Sequence, residues 1–562
     1  MILSHITELV AICAKKGIKN VILSPGSRCA PLTLSFARHP QIHTRTISDE
    51  RSAAFIALGM AQQLEEPVAL VCTSGSATLN YFPAIAEAYF QQIPLLILTS
   101  DRPKEWIDQY DGQTIFQEEV YGKHVKKSFQ FPNFIATPDD QWLASRVSNE
   151  AINLAKEFPA GPVHINIPLK EPFYPVKEEQ IIFPDKPRVF NQAKSYSQLT
   201  EESLMKLKSR LESVNRILII AGQQRPNIQI QEQLIKLSAS HQVVIVTDTI
   251  SNLQSDYSIN LHDHWLNSDV ISIDLKPDLI ISFGKSIISK ALKLFLRKTD
   301  ASHWHIQPDG KAKDTFQKLT RTLPTSPYTF FGWLKNNLKP QNAEFYKSWH
   351  GLEQKIKDHL PLILESEAFG EYSALKIVLE KIPNSSKIHV ANSMSVRYLN
   401  LLGKRNQEII CNRGTSGIDG SNSTAVGCTF TTKELVTLIT GDLAFFYDRN
   451  AFWHNYTMPN LRVILLNNHA GGIFRMIDGP KNQPELEEFF ETKQNLNAQH
   501  LATEYGFYYS KVINKEELNN SLKDFYSESL HPKILEIETL SESNAQILKT
   551  IKERVLEVLK SK

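Results

Sequence analysis

Short apolar runs that stop at a turn or capping residue recur from one end of the chain to the other, with helix-period stretches between them. They read VILSPGS (21–27), VALVCTSG (68–75), LLILTSD (95–101) and VHINIP (163–168), then RILIIAG (216–222), VVIVTD (243–248) and LIISFG (279–284). The last five are KIHVANS (387–393), EIICNRG (408–414), LVTLITGD (435–442), RVILLNN (462–468) and KILEIET (533–539). Strands of this length alternating with helices form βαβ units around a mostly parallel sheet. Their grouping predicts an α/β protein of three doubly wound domains in series, over 1–180, 190–345 and 355–562. The Pro-rich, charged stretch 169–200 and the stretch 324–345, with its PTSP and KPQN, read as irregular linkers. No short-period repeat is visible, which excludes a solenoid.

A length of 562 residues supports several cores. With 62 basic against 60 acidic residues the formal charge is +2, so no overall field draws the chain to nucleic acid or to an anionic membrane. Any anion site must be local. The five cysteines, Cys13, Cys29, Cys72, Cys411 and Cys428, show no CxxC spacing, against both a disulfide framework and a thiolate zinc site. No basic leader followed by a long apolar stretch opens the chain, and no apolar run approaches the roughly 20 residues that span a bilayer. A soluble cytoplasmic protein is expected, with no nucleic-acid partner and no membrane insertion.

One apolar run ends in Gly441-Asp442, and the next ends in Asn467-Asn468. Taken alone, either dipeptide is an ordinary turn between strand and helix. Together they place two short oxygen ligands at the carboxyl edge of one sheet, where α/β folds bind their ligands. Hard oxygens from Asp, Asn and a backbone carbonyl, completed by phosphate oxygens, suit Mg²⁺. A helix opening near Leu443 offers free N–H groups to a diphosphate. In the first unit, ISDERSAAFIALGMA (47–61) puts Glu50 at the start of an Ala-rich helix, a position that a capping carboxylate also favours.

The GD…NN pair resembles the thiamine-diphosphate and Mg²⁺ signature of the thiamine-dependent decarboxylase and carboligase superfamily. The resemblance implies thiamine diphosphate with Mg²⁺ (or Mn²⁺) as cofactors, and side-chain metal ligands from Asp442 and Asn468 with a backbone carbonyl from Ala470. It places Gly441, Leu443, Ile418, Ile473 and Phe474 against the cofactor, with Ile418 propping it beneath its rings. It makes Glu50 the catalytic carboxyl that hydrogen-bonds the aminopyrimidine ring. Relatives often carry Asn or Asp and then Gly where this chain has His469 and Ala470.

SPGSRCAPLT (24–33), TSDRP (99–103), YDGQTI (110–115), NSMSVR (392–397) and NRGTSGIDG (412–420) resemble the motifs of one family within that class, the 2-succinyl-5-enolpyruvyl-6-hydroxy-3-cyclohexene-1-carboxylate synthases. That resemblance implies a transferase of menaquinone biosynthesis which decarboxylates 2-oxoglutarate and adds the remaining unit to isochorismate. Ser393 and Arg397 would hold the distal carboxylate of 2-oxoglutarate, with Arg413 nearby. Ser27, Arg28, Arg102, Gln113 and Lys290 would face isochorismate, and Gln113 would help orient or protonate the adduct. Carboxylates entering a site beside an anionic cofactor are expensive to desolvate, and bidentate arginines offset that cost. Where the family often has a Lys-Arg pair, this chain has Lys290 followed by Ala291, so one basic contact is missing or replaced. The superfamily's arrangement, first domain of one chain facing the third of another, implies a homodimer or homotetramer with active sites at the subunit interface. Two alternatives remain open at this point: another thiamine-dependent 2-oxoacid carboligase such as acetohydroxyacid synthase, and a non-catalytic binding protein of the same fold.

Overall fold

The computed structural model describes residues 4–175, 180–266 and 273–561. Among them are three parallel sheets. The first holds β1 (Asn20–Leu23), β2 (His43–Thr46), β3 (Val68–Cys72), β4 (Leu95–Asp101), β5 (Ser128–Gln130) and β6 (Pro162–Pro168) in the order β2-β1-β3-β4-β6-β5. The second holds β7 (Ile217–Ala221), β8 (Val244–Thr247), β9 (Leu279–Phe283), β10 (Ser302–Ile306) and β11 (Leu319–Leu323) in the order β11-β10-β9-β7-β8. The third holds β12 (Lys387–Val390), β13 (Glu408–Ile410), β14 (Val436–Gly441), β15 (Leu461–Asn467), β16 (Tyr508–Val512) and β17 (Lys533–Glu538) in the order β13-β12-β14-β15-β17-β16. The first and third sheets therefore repeat one topology, with no matching short-period repeat in the sequence.

Strands buried on both faces read as unbroken apolar runs, because successive side chains point to opposite sides. The third sheet shows this directly. Leu438, Val463, Leu465 and Ile534 join a core that also contains Phe55, Ile56 and Leu70 of the first domain. Their neighbours Ile439, Ile464, Leu466 and Leu535 join one that contains Leu218, Val246 and Trp265 of the middle domain. The third domain thus packs against both of the others.

Every one of the twelve apolar runs is a strand. The five unforeseen strands have a physical reason: β2 (HTRT), β5 (SFQ), β11 (LTRTL) and β16 (YYSKV) lie at sheet edges, where one side is not covered and polar residues are tolerated. β10 (SHWHI) is internal, but it carries His303 and His305, whose rings share the Ser282 hydroxyl. The stretch 324–345 corrects the linker expectation. Helix Pro327–Asn337 fills most of it, capped by Ser326 accepting from Thr329 N at 3.1 Å, and helix Ala343–Ser366 begins before it ends. Its Ser-Pro is a helix N-terminus, with Pro in the first turn where no N–H is needed.

Helix Glu50–Leu64 crosses helix Ser421–Thr429 of the third domain backbone to backbone. A Cβ at Gly59 would lie 2.1 Å from the Thr424 carbonyl oxygen, and one at Gly427 2.0 Å from that of Ile56. Gly427→Val must separate the two helices, at a cost of about 1–3 kcal/mol or more. We expect a lower thermal midpoint in calorimetry, with the first and third domains uncoupled. The crossing also fixes the helix start: Asp49 accepts from Ser52 N at 3.1 Å and from Asn450 Nδ2 at 2.7 Å, and Arg51 donates to the Tyr447 carbonyl.

Candidate active site

β14 and β15 are neighbours, paired from Val436↔Leu461 to Gly441↔Leu466, so their carboxyl ends stand side by side. β14 ends at Gly441, and Asp442 opens a short helix to Tyr447. Asp442 is 2% exposed and accepts from Gln494 Nε2 at 2.7 Å. Burial pushes its carboxyl up to about 6. Asn468 follows β15, and its amide is held from two sides. Nδ2 donates to Glu371 Oε1 at 2.7 Å, and Oδ1 accepts from Ala470 N at 3.0 Å.

Glu371 is the residue here that sequence reasoning missed. It opens helix Glu371–Lys381, is 2% exposed, and leaves Oε2 without a hydrogen-bond partner among the described residues. Burial pushes it up to about 7, against the pull of the Asn468 hydrogen bond, and the nearby Asp442 pushes the same way as burial. In the sequence it looks like any first-turn carboxylate. Among the described residues no basic side chain is bonded to Asp442 or Glu371, so the Asp442 carboxyl and the Asn468 amide oxygen, the latter's amide steadied by Glu371, are oxygen donors of the kind that fits a divalent cation.

His469 adopts φ +61°, the left-handed region that His, Asn and Asp tolerate best after glycine. Its ring turns to Glu538 Oε1 at 3.1 Å. Leu443, Ile473 and Phe474 are half-buried and Ile418 is exposed. Leu443 packs under Gly471, and Phe474 meets Phe490.

A second group gathers beyond β12 and β13. Ser393 has φ +70° and ψ −132°, a strained conformation for a residue with a side chain. Its carbonyl accepts from Arg397 Nη1 at 2.6 Å. Arg413 donates from Nη1 to Asn392 Oδ1 at 3.0 Å. The loop carrying Arg413 is clamped by the buried carboxylate of Glu87, which accepts from Gly414 N and Thr415 N at 2.7 and 2.6 Å and from the Thr415 hydroxyl at 2.6 Å. Lys290 is exposed at the start of helix Lys290–Arg297, and Ala291 is buried.

A third group stands on the first domain. Arg28 is buried, donates to the Leu169 carbonyl at 2.7 Å and lies over the Phe173 ring. Arg102 pairs with Asp111 at 3.1 Å and donates to the Gly112 carbonyl. Ser27 and Gln113 are exposed, the latter at φ +58°. Glu50, half-buried, accepts from Asn80 Nδ2 at 3.3 Å. Among the described residues no hydrogen bond or ion pair joins this group to Asp442, Asn468 or Arg397.

The chain matches three family descriptions in succession: the N-terminal TPP binding domain of thiamine pyrophosphate enzymes over 6–125, their middle domain over 185–390, and their C-terminal TPP binding domain over 392–537. Fold and site together define a three-domain thiamine pyrophosphate enzyme. Several of its curated relatives are named 2-succinyl-5-enolpyruvyl-6-hydroxy-3-cyclohexene-1-carboxylate synthase. That of Cytophaga hutchinsonii is 46% identical over 98% of both chains. Those of Christiangramia forsetii and Flavobacterium johnsoniae are 40% and 38% identical, each over 96% of this chain and 97% of the relative. The chain belongs to the 2-succinyl-5-enolpyruvyl-6-hydroxy-3-cyclohexene-1-carboxylate synthase family.

Proposed function

We propose that the chain carries out the reaction its relatives are named for, in menaquinone biosynthesis: 2-oxoglutarate loses carbon dioxide and the remaining four-carbon unit is joined to isochorismate by 1,4-addition. The observation that carries this reading is the pairing of a buried Asp442–Asn468–Glu371 cluster at one strand edge with Arg397 and Arg413 at the next. Bound thiamine diphosphate supplies the electron sink for decarboxylation and carbon–carbon bond formation.

The chain's own residues then have distinct tasks. Asp442, Asn468 and the Ala470 carbonyl hold Mg²⁺ or Mn²⁺ against the diphosphate, while Gly441 and Leu443 line its approach. Ile418, Ile473 and Phe474 supply the apolar wall against the rings. Glu50 holds a proton at the aminopyrimidine ring. Ser393, Arg397 and Arg413 take the distal carboxylate of 2-oxoglutarate, and Ser27, Arg28, Arg102, Gln113 and Lys290 orient isochorismate.

Among the described residues Glu50 itself makes no hydrogen bond or ion pair to Asp442 or Asn468, and by the superfamily's arrangement a second copy completes the site, in a homodimer or homotetramer. Exposed apolar side chains near Gln113, among them Trp106, Tyr110 and Phe116, support the same reading. Among the described residues no helix is long and apolar enough to cross a membrane. We place the protein in the cytoplasm.

The reaction is tested by incubating the protein with 2-oxoglutarate, isochorismate, thiamine diphosphate and Mg²⁺ and following the loss of isochorismate absorbance. Omission of any one component stops the loss; consumption without 2-oxoglutarate overturns the reading. Arg397→Ala removes charged hydrogen bonds worth about 1.5–3 kcal/mol each. KM for 2-oxoglutarate should therefore rise about 10- to 100-fold, with turnover of pyruvate, which lacks the distal carboxylate, little changed.

A further inference from the structure

Helix Lys290–Arg297 of the middle domain is capped by Ser289, whose Oγ accepts from Leu292 N at 2.9 Å. Ala291 is buried among apolar neighbours and offers no polar atom. One turn on from Lys290, Lys293 is half-buried. It lines a cavity of about 690 Å³ where the three domains meet, and Arg413 and Gly414 of the third domain line the same cavity.

Lys293, Arg397 and Arg413 are all held on neutral acceptors. Lys293 Nζ donates to the Ile287 carbonyl at 3.0 Å, Arg397 to the Ser393 carbonyl, and Arg413 to the Asn392 amide oxygen. None of the three forms an ion pair among the described residues. Two carboxylates also line the cavity, Glu157 at 3.9 Å from Lys126 and Asp309 at 3.8 Å from Lys311, while Asp248 near Lys293 and Asp263 near Arg397 are turned elsewhere. Asp248 accepts from the backbone N–H groups of Ile288 and Ser289 and faces His262 at 3.4 Å; Asp263 accepts from the Ser289 hydroxyl and from Asn400 Nδ2. Burial, with Arg413, Arg297 and Arg397 nearby, draws the Lys293 ammonium below the usual lysine range, while Asp248 opposes the shift. Lys293 and Arg413 share this cavity wall with no carboxylate bonded to either among the described residues, and like charges so placed repel each other until an anion enters.

We infer that Lys293 is a specificity-determining contact which, with Arg397 and Arg413, takes the distal carboxylate of a dicarboxylic 2-oxoacid. The inference rests on the function proposed above and adds to it a residue from the middle domain.

Lys293→Met should raise KM for 2-oxoglutarate about tenfold or more, leave kcat within about twofold, and leave KM for isochorismate and the affinity for thiamine diphosphate unchanged. Lys293→Arg should restore most of the loss, since it keeps the charge. An unchanged KM for 2-oxoglutarate in Lys293→Met overturns the inference. So does a fall in kcat alone, or a lowered thermal midpoint with both KM values raised and no recovery in Lys293→Arg. Arg397→Ala measured in parallel separates the two claims: if it raises KM and Lys293→Met does not, only the Lys293 assignment falls. If the unaltered chain does not consume 2-oxoglutarate, both fall.

Discussion

Asp442→Ala abolishes metal-dependent retention of thiamine diphosphate. Loss of a group that only orients a metal ligand typically weakens binding about 10- to 100-fold, and removing a direct ligand exceeds that. The carboxyl is buried, and burial pushes it up to about 6, so it is an unfavourable group to keep unless a cation stabilises its charged form. Truncation leaves the Asn468 amide held by Glu371 and Ala470, so the fold persists and the missing oxygen is the main change. Tryptophan fluorescence titrated with thiamine diphosphate at fixed Mg²⁺ reads the effect directly, and Asp442→Asn, which keeps one oxygen, should fall between the two. Cofactor affinity unchanged in Asp442→Ala removes the metal assignment.

The fold was legible where burial on both faces made strands continuously apolar. In RVILLNN, Val463 and Leu465 enter one core and Ile464 and Leu466 another, and no helical or one-sided pattern fits such a run. Edge strands such as LTRTL and YYSKV carry no such mark, because half of their surface is uncovered. Ser326-Pro327 misled for the opposite reason: punctuation residues mark helix starts as well as loops, and only the hydrogen bond to Thr329 N separates the two.

The candidate site was legible through its short motifs, which put Asp442 and Asn468 at adjoining strand ends. Residues that act from a distance in sequence were not. Glu371 reaches Asn468 from 97 positions away, and Glu87 reaches the Arg413 loop from the first domain. Gln494, on Asp442, lies in a loop with no motif of its own. Lys293 was hidden by helix geometry. A departure at Ala291 draws the eye to the adjacent position, whereas the basic side chain that lines one cavity with Arg413 stands one turn on from Lys290.

Glu50→Gln should lower kcat about 10²- to 10⁴-fold, the contribution typical of a positioned acid–base group, while thiamine diphosphate binds nearly as before. The amide fills the same space at the start of helix Glu50–Leu64 and can still meet Asn80, so a stability change is not expected; near-normal turnover removes Glu50 from the chemistry. The same variant decides how the site is assembled. If Glu50 of one copy works with Asp442 of another, mixing the inactive Glu50→Gln and Asp442→Ala chains creates heterodimers in which one site carries both changes and the other carries neither. With random exchange, half of the dimers are mixed and each has one intact site, so about a quarter of the wild-type rate returns. If both residues serve a site within one chain, every site in the mixture is defective and nothing returns. A mixture that stays inactive after subunit exchange has been verified would overturn the shared-site arrangement while leaving the role of each residue intact.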